Sequence, residues 1–192
     1  MGKEWEYKAM LNSMAKEIEP QAIVVPKDHW VFIIPAWFLF LITFGKFTRE
    51  KFYTKFATAL GPLIGIPTTW DYQSAKETVL HEARHARQSR WCGLWISPWL
   101  GFPIFGLVYI LLFLPVKVAY LRFWLELDAD KFMWEQLLKR KLWTDSQVRR
   151  SAEFRGESLA SIDYYWAVPK GYAVKQYNLA AELIIALNKG MP

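Results

Sequence analysis

The sequence predicts an α+β fold in which a small antiparallel or mixed sheet packs against one long helix. Short β-branched or apolar segments bounded by glycine and proline are typical of strands, and longer segments with apolar residues every three or four positions are typical of amphipathic helices. The chain has 192 residues, a length that commonly folds as one domain with a sizeable core. We therefore expect a single domain over 1–192.

The N-terminal part of the chain predicts a helix, a strand and an apolar segment. Residues 5–18 have the apolar spacing of an amphipathic helix, and residues 21–25 suit a strand that ends at Pro26. Residues 30–45 form an aromatic segment without charged side chains. This segment is slightly shorter than the roughly 20 residues of a bilayer-spanning helix, so we expect a buried or interfacial helix there.

A β-hairpin is predicted next. Residues 52–58 are rich in aromatic and β-branched side chains, and the apolar segment 60–67 contains the turn dipeptide Gly61-Pro62. Pro67 would close the second strand, and a strand bounded by proline suits the edge of a sheet.

The long helix is predicted over about 75–90. Ser74 and Glu77 have the spacing of a capping box, in which each side chain satisfies a free backbone N–H of the other residue. The helical period separates two faces of this segment. One face carries Thr78, His81, His85 and Gln88, and the face that would pack on the sheet carries Val79, Ala83 and Ala86.

Residues 81–85 have the form H-E-x-x-H. Side chains four residues apart lie on the same side of a helix, so His81 and His85 can bind one Zn²⁺ while Glu82 stays beside the metal as a base. Two of the three histidines of the chain fall in this pattern, although an exposed helix face carrying Glu, Arg and His is the alternative. The single cysteine, Cys92, excludes an intrachain disulfide and a four-cysteine zinc site.

A catalytic zinc site needs a third protein ligand, which has to be a carboxylate here because His29 is the only other histidine. Glu126 lies in a helix predicted over about 116–141, and Asp130 follows one turn later on the same face. Glu126 would bind the metal, and Asp130 would orient a ligand histidine through its second ring nitrogen. Each acid can equally be a surface group paired with a nearby Lys or Arg.

The segment 92–116 contains no charged residue but several glycines and prolines, which favour a broken hairpin of two short helices. A single membrane span would separate His81 from Glu126, and two spans would need about 40 apolar residues. We therefore expect an apolar hairpin insertion over 92–120 that is re-entrant, monotopic or buried in a large assembly.

These residues resemble the gluzincin metallopeptidases, which pair H-E-x-x-H with a glutamate on a downstream helix. Residues 126–130 are similar to the E-x-x-x-D element of the membrane-embedded gluzincins that cleave heat-damaged or prenylated proteins. The chain also resembles small metallopeptidases encoded by tailed phages, roughly over 24–130. Arg84, where that family often has an apolar residue, and the extra acid Asp128 depart from the pattern, and Asp128 leaves the choice of third ligand open. The matching segments are 24–27, 59–67, 80–85 and 124–127.

The resemblance implies a zincin-like fold and hydrolysis of peptide bonds with Zn²⁺ as cofactor. It implies His81, His85 and Glu126 as metal ligands, with Asp130 behind them. Glu82 would take a proton from water and pass it to the leaving amine. Residues expected to contact the substrate are Leu63, Ile64, Gly65 and Ile66, by adding a strand, and Tyr164 or Tyr165, by stabilising the oxyanion.

The composition points to partners other than a peptide or protein substrate. The chain is 53% hydrophobic and 17% aromatic, which favours a membrane or a large protein assembly that would be contacted through 30–45 and 92–116. The net charge is +6 without a block of like charge, so nucleic-acid binding is not expected.

The N-terminus lacks signal-peptide features, so a membrane-associated, virion or cytoplasmic location is expected. The alternative function is a non-catalytic virion or membrane-associated interaction protein with a retained zincin frame.

Overall fold

The structure is a computed structural model that describes residues 7–42, 45, 48–93, 97–101, 119–160 and 168–190. These residues are mostly helical and include a three-stranded mixed sheet, so the α+β class is confirmed. The chain divides into two compact units, Met1–Pro103 and Ile104–Pro192, which are described in turn. The single domain expected from the length stays a prediction.

The sheet of the first unit consists of β1 (Ile23–Pro26), β2 (Thr58–Leu60) and β3 (Leu63–Ile66), in the order β1-β3-β2. β3 is parallel to β1 and antiparallel to β2. The hairpin prediction is confirmed, and Gly61 at its turn has a φ of 59°, a conformation that glycine adopts without strain. The edge-strand prediction for β3 is wrong, because β3 is the central strand and pairs with β1 on one side and β2 on the other. Pro67 lies just outside the paired residues, so its missing N–H does not prevent this pairing.

Residues Arg49–Lys55 form the helix α3 and not the first part of the predicted strand 52–58. Thr48 caps this helix, since its side chain accepts a hydrogen bond from the backbone N–H of Lys51 at 3.2 Å. Glu50 in the first turn and Lys55 in the last turn complement the helix dipole. These end signals outweigh the strand propensity of the aromatic residues between them.

The two faces of the sheet carry different layers. Val24, Ile64 and Ile66 point to one face and are fully buried, and the helix α1 (Lys8–Ile18) and the long helix α4 (Tyr72–Cys92) pack on the strands from this side. Side chains alternate along a strand, so Val25 and Leu60 point to the other face. There they join the apolar cluster of Phe32, Ala36 and Phe52.

The predicted helix over 30–45 is present as the 3₁₀ turn Trp30–Phe32 followed by α2 (Ile33–Ile42). Phe32 reaches the sheet because Gly65 has no side chain: a Cβ built there would lie 2.4 Å from the Phe32 ring. One side of α2 is therefore fixed to the sheet. None of the helices in the part of the chain that the structure describes is both long and apolar enough to span a bilayer.

Lys27 is an ionisable residue buried in this second layer, with 1% of its surface exposed. Its ammonium group donates a hydrogen bond to the Thr58 hydroxyl and lies 3.9 Å from the Phe52 ring centre and 4.8 Å from that of Phe32. Burial lowers the pKa of Lys27 to about 7, against the opposing attraction of the Glu82 carboxylate. Lysine is rarely buried without a charged partner in contact, so this residue costs stability whenever it is protonated.

The long helix α4 begins at Tyr72, three residues before the predicted start. Asp71 is the cap, and its carboxylate accepts hydrogen bonds from the Ser74 backbone N–H at 2.9 Å and from the Ser74 hydroxyl at 3.1 Å. These bonds hold the pKa of Asp71 below its ordinary value. The capping box predicted for Ser74 and Glu77 is wrong, because a charged carboxylate at Asp71 satisfies the helix end one turn earlier, and Glu77 accepts instead from Gln73.

The second unit contains the helices α5 (Ala119–Lys139), α6 (Asp145–Leu159) and α7 (Lys170–Asn188). α5 lies within the helix predicted over about 116–141. Thr144 caps α6, and its backbone N–H donates to the Gln147 side chain at 2.8 Å. α7 packs on both α5 and α6. The buried core of this unit includes Trp134, Leu137, Val148, Ala152, Tyr177 and Ile184.

We predict that the Lys27→Met variant changes the pH dependence of stability. The folded amine releases its proton near pH 7 and the unfolded amine near its ordinary pKa of 10.5, so between these values the unfolded chain holds more protons. The contribution of Lys27 to the free energy of unfolding therefore rises with pH through this window, by at most about 1.4 kcal/mol per pH unit. The methionine variant lacks the rise. Urea unfolding below, within and above the window measures it.

Lys55→Met is the matched control, because Lys55 is an exposed lysine of the neighbouring helix α3. It should keep the wild-type pH profile. Parallel profiles for wild-type protein and Lys27→Met would contradict the burial of a titrating amine at this position.

Candidate metal centre

The two imidazoles of the H-E-x-x-H motif meet on one face of α4. The Nε2 atoms of His81 and His85 are 3.0 Å apart, and the two rings are nearly perpendicular, with centres separated by 4.6 Å. Both residues are buried, with 4% and 5% of their surface exposed. The side chains therefore converge on one point, as the four-residue spacing predicted.

Gln88 fixes the orientation and the tautomer of His85. The His85 Nδ1 lies 2.7 Å from the Gln88 Oε1, and an amide oxygen only accepts, so Nδ1 carries the proton. The Nε2 of His85 then presents a lone pair towards His81. Gln88 lies on the helix face predicted for the two histidines, and its position three residues after His85 was a local signal for this bond that the predicted site did not include.

The opposite face of α4 is anchored in the core. Val79, Ala83 and Ala86 are fully buried, as the helical period predicted. Glu82 lies between these two faces in sequence and is partly buried. The guanidinium carbon of Arg84 lies 4.7 Å from the centre of the Trp91 ring, a distance at which a cation and an aromatic face attract each other.

Two acidic residues of α5 are buried in the second unit. Glu126 has 6% and Asp130 1% of its surface exposed. The Tyr177 hydroxyl donates to Asp130 Oδ2 at 2.9 Å, and Arg155 Nε lies 3.4 Å from Asp130 Oδ1. Arg122 Nε lies 4.0 Å from Glu126 Oε1. Asp130 is thus held in place from two other helices, α6 and α7, while its expected bond to a ligand histidine stays a prediction.

Tyr177 was missed by the sequence analysis because it lies 47 residues after Asp130 and no local pattern links the two. Burial, followed by the charges of Asp130 and Glu126, raises the pKa of Tyr177 well above its ordinary value. The phenol therefore stays protonated and donates to the Asp130 carboxylate.

His81, His85 and Glu126 form a group that can hold a metal ion. One ligand atom from each lies within 4.8 Å of the other two, and all three residues are buried. Asp128, the acid that left the third ligand open, is partly exposed and does not belong to this group.

The donor set fits Zn²⁺. Tetrahedral zinc with bonds of 2.0–2.1 Å to nitrogen holds two imidazole nitrogens about 3.3 Å apart, and the Nε2 atoms here are 3.0 Å apart. Two neutral imidazoles and one carboxylate leave the fourth position of a tetrahedral ion for water or substrate. The hydrogen bond between His85 and Gln88 is the kind of support that metal-binding histidines usually have.

Tyr164 and Tyr165 lie outside the described residues, as do residues 94–96 and 102–118 of the expected apolar hairpin. The expectation that Leu63, Ile64, Gly65 and Ile66 add a substrate strand is wrong in this arrangement. Both backbone edges of β3 are used by β1 and β2, and strand addition needs a free edge.

No family model matches the chain, and neither a curated protein nor a solved structure matches it. The assignment of a function therefore rests on the residues of the site and on their chemistry.

We predict that Tyr177→Phe weakens divalent-metal binding by tenfold or more, since loss of a supporting bond behind a metal site typically costs about 10–100-fold in affinity. The ring that packs on Phe123 and Trp134 is kept, so only the hydroxyl that holds Asp130 is lost. Competition with a chromogenic chelator measures the affinity.

Tyr172→Phe provides the control, because Tyr172 is also on α7 and packs against the ring of Phe123. It should bind metal like the wild-type protein. Equal affinities for all three proteins would show that the bond to Asp130 does not support the metal centre.

Proposed function

We propose that this chain is a zinc-dependent metallopeptidase of zincin type, similar to the gluzincins, with His81, His85 and Glu126 as metal ligands and Glu82 as general base. The observation that carries the proposal is the buried group of two imidazoles and one carboxylate, whose ligand atoms lie within 4.8 Å of one another. A glutamate directly follows the first of these histidines on α4. This combination supplies the ligands and the base that such hydrolysis requires.

The chemistry of the proposed reaction divides between the metal and Glu82. When bound, zinc would lower the pKa of a coordinated water to about 7 and polarise a peptide carbonyl. Glu82 is partly exposed, so its carboxylate can accept the proton of a water molecule and return it to the leaving amine. Gln88 and the buried face of α4 keep the imidazoles oriented during both proton transfers.

The substrate-binding strand has to be a sheet edge, and β2 is the candidate. Within the described residues, β2 is bonded only to β3, on one side, and α4 packs against both strands. An extended peptide added to the outer edge of β2 would therefore run close to the helix that carries Glu82. Backbone hydrogen bonds along this edge would hold the peptide without demanding a particular sequence.

The second candidate function is a non-catalytic interaction protein that keeps the metal frame for structure. The observation that favours it is the exposed apolar surface of α2 and of the turn before it, with Trp30, Ile34 and Leu41 among the exposed residues. Such a surface serves a partner or a membrane and has no role in hydrolysis.

We predict that Glu82→Gln lowers the rate of casein hydrolysis by about 10²–10⁴-fold, the usual contribution of a general base, while the zinc content stays at the wild-type level. Glu77→Gln is the matched control, because Glu77 lies on the same helix and bonds to Gln73, and it should keep full activity. Wild-type activity in a zinc-loaded Glu82→Gln protein would contradict the catalytic role. Zinc-loaded wild-type protein without any hydrolysis would favour the interaction protein.

We predict that Glu126→Ala loses the bound zinc and that Asp128→Ala keeps it, because Glu126 alone of these two acids belongs to the candidate group. The two positions lie on one helix and differ in burial, with Asp128 partly exposed. Metal analysis by mass spectrometry after gel filtration gives the stoichiometry. Equal zinc in wild-type protein and Glu126→Ala would remove Glu126 from the site.

A further inference from the structure

The outer side of α2 carries an exposed apolar stripe. We define the α2 stripe as Trp30, Ile34, Trp37 and Leu41, which are exposed by 71%, 78%, 45% and 64% of their surface. The spacing of three and four residues puts Ile34, Trp37 and Leu41 on one side of α2, and Trp30 lies in the turn just before this helix. The stripe is large for a solvated surface, where bulky apolar side chains usually occur singly.

The opposite side of α2 is already covered. Phe32 and Ala36 are fully buried against the sheet, and the Phe32 ring is seated over Gly65. The helix Ile33–Ile42 contains no charged side chain, so it is apolar on both sides. The attachment to the sheet therefore fixes a ready-made apolar surface that faces outwards.

The length of α2 decides how such a helix can meet a bilayer. Ten residues rise by about 15 Å, half of the roughly 30 Å of a hydrocarbon core. A helix of this length cannot cross, but it can lie in the plane of the interface with one side in lipid. Its tryptophans suit this depth, because indole rings collect at the level of the headgroups.

The charge beside the stripe is positive. The Arg49 guanidinium carbon lies 4.7 Å from the Trp37 ring centre, and α3 also carries Lys51 and Lys55. Residues 28–55 contain four Lys or Arg and two Asp or Glu, which leaves a net charge of +2. The Arg49 guanidinium at this position can donate hydrogen bonds to lipid phosphates, and the negative charge of anionic lipids attracts it further.

The same charges disfavour a dimer in which the α2 stripe of one copy of the chain packs against the α2 stripe of another. A two-fold interface brings the same patch of both copies together, so each Arg49 at the rim would approach the basic rim of the other copy. Repulsion of like charges then opposes the contact between two stripes, whereas an anionic surface attracts both the cations and the apolar side chains.

We propose that the α2 stripe docks this protein on an anionic membrane surface. Trp30, Ile34, Trp37 and Leu41 enter the interfacial layer, and Arg49 stays at the headgroup phosphates. The inference does not depend on the metal centre, because every residue that carries it lies in α2, in α3 or in the turn before α2.

Cosedimentation of the full chain with vesicles tests the proposal. Wild-type protein should bind vesicles of phosphatidylcholine with phosphatidylglycerol, bind pure phosphatidylcholine more weakly, and lose affinity as salt screens the charges. The double variant Trp30→Ser/Trp37→Ser should bind at least tenfold more weakly, with unchanged far-UV circular dichroism. Arg49→Glu changes the charge by two units, so it should lower the preference for anionic vesicles by about 30-fold, since each unit of charge near the surface contributes about 1 kcal/mol.

Leu179→Ser/Leu183→Ser is the matched control, because both leucines are exposed by more than half of their surface on α7. This variant should bind vesicles like the wild-type protein. The proposal is overturned if wild-type protein does not sediment with anionic vesicles, or if the α7 variant loses as much binding as the α2 variant. A dimer in sedimentation velocity that Trp37→Ser dissociates, without vesicle binding, would assign the stripe to self-association.

Discussion

The position of α4 against the sheet is the constraint on which the candidate site depends. His81 and His85 converge to an Nε2 separation of 3.0 Å only while the turn between them stays helical. Burial of Val79, Ala83 and Ala86 fixes the rotation of the helix, and Asp71 stabilises its first turn. The bond to Gln88 then selects the His85 tautomer. Each of these contacts is local to α4 or to the sheet beneath it.

Two buried acids, Glu126 and Asp130, lie where the proposed chemistry needs them and where stability alone would not keep them. Each has 6% or less of its surface exposed, and burying a charge costs several kcal/mol unless partners compensate. Tyr177 and Arg155 compensate Asp130. A divalent cation held by the triad would compensate Glu126. Polar groups retained at such a cost are typical of functional sites.

The local features of the fold could be predicted from the sequence, and the nonlocal ones could not. The helical period indicated the shared face of His81 and His85, and Gly61-Pro62 indicated the hairpin turn. The strand order could not be predicted, because the parallel pairing of β1 with β3 joins segments about 40 residues apart. The bond from Tyr177 to Asp130 depends in the same way on tertiary packing. The Asp71 cap is a local feature, because its carboxylate accepts from the backbone N–H three residues later.

X-ray absorption at the zinc edge of protein reconstituted with one equivalent of metal tests the central claim most directly. The account predicts multiple scattering from two imidazoles, with nitrogen at about 2.0–2.1 Å and carboxylate or water oxygen at about 2.0–2.2 Å. A shell of oxygen atoms without imidazole scattering, or the signal of only one imidazole, would contradict a zinc site built on His81 and His85.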